Sequence, residues 1–250
     1  MKTKAEITAL FKRYPQLLDP MVRHDFVIKW SCRNGTPNGD PDREGAPREL
    51  PDQRLWVTEA CYKRMLRDYM EEVLGVPIYI SRKAKEQGKS LKDLSQAYPK
   101  AKEAIAQFSD VRTLGGVYLA AGSRGSAQSD SQNAPIIGPF QIEIGTTDDR
   151  VEVVDASISR ILKEDSSDGT FGRKHFVLYA EITHFGRYSA YLGKKVGITS
   201  EDMAHFWEAV FNAPELRQST MSGRRRHVRL DVTSFTDAYG MGDQTSISIE

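Results

Sequence analysis

Residues 24–67 read HDFVIKWSCRNGTPNGDPDREGAPRELPDQRLWVTEACYKRMLR. In the first part Phe26, Ile28, Trp30 and Cys32 share one face, the period-two mark of a half-buried strand. The middle is dense in Gly, Pro, Asn and Asp, which supply positive φ, fixed φ and side-chain turns. The last part is amphipathic at helical spacing. With Thr58 near its start, Cys61, Met65, Tyr69, Met70 and Val73 form an apolar stripe, and Lys63, Arg64 and Arg67 face outward near the loop. The chain therefore leaves a sheet, makes a turn-rich excursion and re-enters through a helix. A helix N-terminus carries unpaired N–H groups and partial positive charge, so three cations in its first turns suit a phosphate backbone. A solvated basic face is the competing reading.

At 250 residues the chain can hold one large domain or two small ones, and no clean linker separates two cores, so one elaborated domain over residues 1–250 is expected. Hydrophobic residues make up 39% and charged residues 28%, which points to a globular fold rather than disorder. The net charge of +1 excludes nucleic-acid binding through bulk charge, so any such binding must use locally concentrated cations. Cys32 and Cys61 have no CxxC spacing and read as reduced core residues. The N-terminus lacks an uninterrupted apolar run and a cleavage site, and no stretch approaches the roughly 18 apolar residues that span a bilayer. No membrane partner and a cytoplasmic location are expected.

Along the chain, residues 5–18 predict a short helix that stops at Tyr14 and Pro15. Gly75 suits a helix C-cap, and VPIYIS over 76–81 reads as a short strand or an extended crossing. The Lys- and Ala-rich text of 82–108 suggests two short surface helices. Arg112 falls at an edge between polar loop and packed segment, and the Ser-rich 122–135 is expected to be mobile. Strand character resumes over 136–145, with Phe140, Ile142 and Ile144 on one side. A projecting hairpin runs through 151–175 and returns through Phe171, Gly172, Arg173, Lys174 and His175. The longest strand candidate is 176–186.

Thr199 with Asp202 predicts a capping box, Ile198 can staple onto Met203, and Met203, Phe206, Trp207, Val210 and Phe211 form a core stripe. In 224–235, Val228, Leu230 and Val232 alternate with His227, Arg229 and Asp231 after a run of arginines, and the polar tail reads as loosely held. Collected, the elements give strand, helix, strand, strand, helix, strand. That is the α+β split βαββαβ unit of RRM and ferredoxin-like folds, an antiparallel sheet with two helices on one face.

NGTPNGDPD, VTEACYKRMLR, DVRTLGG, GPFQIEI, ISRI, FGRKHFVLYAEI and GITSEDMAHFWEAVF, in that order, resemble the Cas-seven backbone subunit of type I CRISPR Cascade complexes, most closely the subtype B and C branch. The resemblance implies an RRM-like palm with a loop insertion over about 33–56, fingers or web over about 82–135 and a thumb hairpin over about 146–175. It implies copies stacked head to tail as a helical filament along CRISPR guide RNA, beside other Cascade subunits, with target DNA read through the guide by base pairing. Thr58, Lys63, Arg64 and Arg67 would hold guide phosphates, and Arg112 with Arg173, Lys174 and His175 would extend the track. Arg33 and Asn34 at the end of the first strand and Arg160 within ISRI join the RNA-binding set. Phe171 is a candidate wedge between bases. Arg224, Arg225 and Arg226 divide between nucleic-acid contact and a solvated turn or subunit contact.

No cofactor, metal or catalytic residue is implied. Asp40 and Asp42 invite an alternative, a metal-dependent endoribonuclease like the backbone proteins of type III complexes. Their Gly-Asp and Asp-Pro pairs are also plain turn chemistry. A repeat-processing ribonuclease would need His24, His175 or His184 as general base, whereas lone strand histidines are more often core or surface residues.

Overall fold

The computed structural model describes residues 1–98, 100–117, 135–159, 171–216 and 218–250. Helix α1, Lys4–Arg13, is opened by a Thr3–Glu6 capping box and followed by a 3-10 turn at Pro15–Leu18, where proline ends the helix. Strand β1, His24–Gly35, buries Phe26, Ile28, Trp30 and Cys32 as the alternation requires. The loop then leads through the short β2, Trp56–Val57, into α2, Glu59–Glu72. Tyr62 and Leu66 join Met65, Tyr69 and Met70 in the buried stripe, while Val73 is 49% exposed beyond the last turn and Gly75 takes a left-handed φ of 67°.

Residues 76–81 are the extended crossing, not a strand: the N–H groups of Tyr79 and Ile80 donate to the Asp110 carboxylate instead of a ladder. Three short helices follow rather than two: α3 Arg82–Glu86, α4 Leu91–Ala97 and α5 Ala101–Gln107. Then come α6, Ser109–Leu114, and β3, Gly116–Val117, which pairs with β4, Pro135–Ile136. Tyr79, Ala104, Phe108 and Val111 form a small core of their own there. The Ser-rich stretch lies outside the described residues up to 134.

The 136–145 segment is split into β5, Phe140–Ile142, and β6, Gly145–Thr146, so Ile144 falls between strands and is 51% exposed instead of joining Phe140 and Ile142 inside. Strand β7, Val153–Ser159, and the long β8, Phe171–Tyr188, pair as the expected hairpin, from Val153 opposite Val177 to Ser159 opposite Phe171. The tip, with Arg160, lies outside the described residues.

After α7, Ala190–Val196, comes α8, Ser200–Leu216. Its Thr199–Asp202 box is formed, and Met203, Phe206, Trp207, Val210 and Phe211 are all buried. The remaining strands are β9, Arg224–Phe235, and β10, Gln244–Ile249, which pairs with β9. The tail is thus a sheet strand rather than a loosely held end.

The central order β9-β1-β8-β5, all antiparallel, is fourth, first, third and second in the βαββαβ unit, the split arrangement expected. α2 and α8 pack together on one face, and Phe26, Phe140, Phe206 and Trp207 interlock beneath them. No helix among the described residues covers the other face of β1 and β9. Leu230 and Val232 are buried as the alternation requires, but a register shift between Lys29 and Trp30 leaves Val228 without a partner and inverts the pattern before it: His227 lies opposite Trp30 and Arg225 opposite Cys32, both on the helix side. No described helix is long and apolar enough to cross a membrane.

Candidate nucleic-acid interface

The turn-rich loop is docked on the mouth of α2. The Thr58 N–H and Oγ1 both donate to Asn38 Oδ1, at 3.0 and 3.1 Å, and Thr58 Oγ1 accepts from the Cys61 N–H. Thr58 is therefore spent on capping, which stabilises the helix by about 1 kcal/mol. Arg225 fastens the loop from the other side: its guanidinium donates to the Thr36 and Pro37 carbonyls at 3.1 and 3.0 Å and lies over the Trp30 ring. That placement makes Arg225 a brace, unlike its two neighbours.

The three cations of α2 do not all face outward. Arg67 is 7% exposed, pairs with Asp110 at 2.9 Å and donates to the Gly115 carbonyl. Arg64 pairs with Asp68 at 2.8 Å and donates to the Ile80 carbonyl. Only Lys63 of the three has no ion pair among the described residues, and burial, then the nearby Arg67, pulls its pKa below the usual lysine value. The arginines are recruited by Asp68 and Asp110, which hold the crossing and α6 to α2.

Arg112 is likewise engaged, donating to Asp202 at 3.0 and 2.9 Å and to the Ile105 and Ala106 carbonyls. Burial pushes the Asp202 carboxyl up, but hydrogen bonds from Arg112 and Ser109 outweigh it and hold the group below the usual range. The pair ties α6 to the N-terminus of α8.

On β8, His175 pairs with Asp155 across the hairpin, and its carbonyl accepts from Thr36 Oγ1 at 2.7 Å. Arg173 and His175 line a cleft of about 850 Å³ together with Asp42, Arg43, Glu49, Arg150 and others of the loop and β7. Lys174 lies over the Phe176 ring, 5.3 Å from its centre. Phe171 opens β8 opposite Ser159. Asp40 Oδ1 accepts from the Asp42 N–H and lies 3.6 Å from Arg48, so it caps the 3-10 turn at Pro41–Arg43. No group of three His, Cys, Asp or Glu able to hold a metal ion occurs among the described residues.

The helix-free face of the sheet shows a division of charge. At one end the cations are compensated: Lys29 pairs with Asp148 and Glu181, Arg229 with Asp231, and Arg23 and Arg187 with Asp25. At the other end Arg33 stands opposite Arg224 and Ser31 opposite Arg226, and none of these three arginines has a carboxylate partner among the described residues. Asn34, at a left-handed φ of 52°, joins Arg33, Arg224 and the 218–223 turn around a cavity of about 340 Å³. Beside Arg33 on β8 is Tyr179, 46% exposed. Sequence reasoning missed Tyr179 and Asn38. The first was legible as an outward position of the FVLYAEITHFG alternation, the second as a short polar acceptor just before a helix.

No curated protein matches the chain in sequence. Among solved structures, a chain of one described as "CRISPR RNA-guided surveillance complex, pre-nicking" is similar at TM-score 0.53 and 11% identity, covering 84% of this chain and 78% of its own. A chain of a "CRISPR RNA-guided surveillance complex" aligns at TM-score 0.45 and 12% identity, over 83% of this chain and 68% of that one. One from "Cryo-EM structure of the Type III-B Cmr-beta bound to cognate target RNA" aligns at 0.44 and 10%, over 92% and 68%. The first likeness shows a shared fold. The family model described as CRISPR-associated protein Cas7 matches residues 22–248, nearly the whole chain, and the chain belongs to that family.

Proposed function

We propose that this chain binds CRISPR guide RNA as a backbone subunit of a type I surveillance complex, copies lining up head to tail along the guide. Target DNA is met through the guide, in the cytoplasm, beside other Cascade subunits. The observation that carries the reading is the uncompensated cluster of Arg33, Arg224 and Arg226 at one end of an otherwise charge-balanced sheet face. A subunit that accepts any guide sequence needs phosphate contacts rather than base-edge hydrogen bonds, and arginines on a rigid strand supply them. Arg173 and Lys174 at the hairpin base and Lys63 at α2 extend the same track. Arg67, Arg112 and Arg225 hold the elements that carry it, and the whole chain acts as one elaborated RRM-like unit.

Binding without cutting is part of the reading, because the Asp40 carboxylate is committed to a turn and to Arg48. The test is titration of purified protein with single-stranded RNAs of unrelated sequence and increasing length. Affinity independent of sequence, stoichiometry rising with length and intact RNA in magnesium are expected. Binding that depends on one sequence, or cleavage abolished by Asp40→Asn or Asp42→Asn, overturns it.

A further inference from the structure

We infer that Tyr179 is a stacking platform for one nucleobase of the bound strand, with Arg33 as its backing. The inference rests on the RNA-binding reading and adds a base contact beside the arginines that hold phosphates. Single exposed aromatics are common on protein surfaces and need no function. Tyr179 differs in being fixed. The Arg33 guanidinium lies over the ring, 5.2 Å from its centre, and the phenol Oη donates to Glu181 Oε2 at 3.3 Å. A ring already held on one face and at its tip loses little freedom when a base covers what remains exposed. Every base has a π-face, so stacking tolerates any sequence, as a guide-holding subunit requires.

The surroundings say which aromatic serves. Phe185 is the more exposed of the two on β8, at 55%, but lies six residues away, about 20 Å along the strand. Its neighbours there are the mutually paired Asp25 and Arg187, which leave no free cation for a phosphate among the described residues. Tyr179 stands opposite Arg33, and Arg33 opposite Arg224 on the next strand, so the platform and the outer arginine are two strand spacings apart, about 10 Å. Glu181, which holds the phenol, stands opposite Ser31, itself opposite Arg226. A base on Tyr179 thus has arginines within reach of its flanking phosphates.

The test compares wild type, Tyr179→Ala, Tyr179→Phe and Tyr179→Trp on a short single-stranded RNA and on an abasic ribose-phosphate strand of equal length, each across a salt series. Tyr179→Ala is expected to weaken binding of the RNA about five- to hundredfold with the salt slope unchanged, while Phe and Trp retain it. On the abasic strand, wild type and Tyr179→Ala are expected to bind equally. Unchanged RNA affinity in Tyr179→Ala, an equal loss on the abasic strand, or a reduced salt slope overturns the platform and leaves the RNA reading standing. Wild type that binds no RNA overturns that reading, and the platform with it.

Discussion

Arg67 and Asp110 form a buried ion pair at 2.9 Å that joins α2 to α6. Asp110 also accepts from the N–H groups of Tyr79 and Ile80, so one carboxylate gathers helix, crossing segment and insertion. Removing one partner of such a pair leaves the other charge buried and uncompensated, a loss of about 3–5 kcal/mol. Arg67→Ala is therefore expected to lower the denaturant midpoint strongly. Under conditions where the variant is still folded, its RNA affinity should stay near wild type. A variant of undiminished stability that fails to bind RNA would return Arg67 to the interface.

Three adjacent arginines are expected to behave in two ways. Arg224→Ala and Arg226→Ala should leave stability within about 0.5 kcal/mol, as exposed substitutions do. Each should reduce the salt dependence of RNA binding by about 0.7 in log–log slope per phosphate released. Arg225→Ala should do the opposite, lowering stability because the Thr36 and Pro37 carbonyls lose their donor and Trp30 its covering cation. Denaturation and salt titration of the three variants side by side check the division.

Much of the fold was legible because it rests on periodicity: the β1 alternation, the α8 stripe and the Thr199–Asp202 cap all stand where one-dimensional spacing puts them. Failures came where pairing partners decide. A register shift moves Arg225 and His227 to the helix side, and no count along 224–235 reveals it because it arises between β1 and β9. The freedom of two cations was misread for the same reason. Arg67 and Arg112 look like free cations until Asp110 and Asp202, 43 and 90 residues away, are brought against them.

Two buried histidines and one half-buried one make stability sensitive to acid. Burial is the main cause that lowers His24, His184 and His227 to about 4, from a usual value of 6.5. His184 Nδ1 meets the Glu143 carbonyl at 2.9 Å, and His24 Nδ1 meets Ser234 Oγ at 2.9 Å, partners suited to neutral rings. In the unfolded chain these rings protonate near 6.5, so as pH falls from 6.5 towards 4 the unfolded state takes up protons that the folded state refuses. Stability should be flat above pH 7 and fall across that window, by at most about 3 kcal/mol per ring. Asp202, held below its usual 3.8, adds its loss only at lower pH. Urea midpoints at pH 7.5, 6 and 5 test the sign, and a midpoint that rises on acidification would contradict it.

Gly35 and Gly223 are in direct contact, and the turn that lines the Arg33 and Arg224 cavity depends on it. A Cβ on Gly35 would lie 2.3 Å from the Gly223 nitrogen, an approach only backbone movement can relieve. The same junction carries the Thr36 N–H bond to the Met221 carbonyl at 2.8 Å and the contact of Cys32 Sγ with the Ser222 carbonyl. Gly35→Ala should therefore push the 218–223 turn off the end of β1, lowering both stability and RNA affinity. Gly45→Ala is the control: Gly45 has a φ of 80° but no atom within 4 Å of an added Cβ. There the penalty is conformational alone, roughly 1–2 kcal/mol, with RNA binding retained. Equal RNA affinities in the two variants would show that the turn does not shape the site. A loss confined to Gly35→Ala would show that close backbone packing at the sheet end sets the spacing of its arginines.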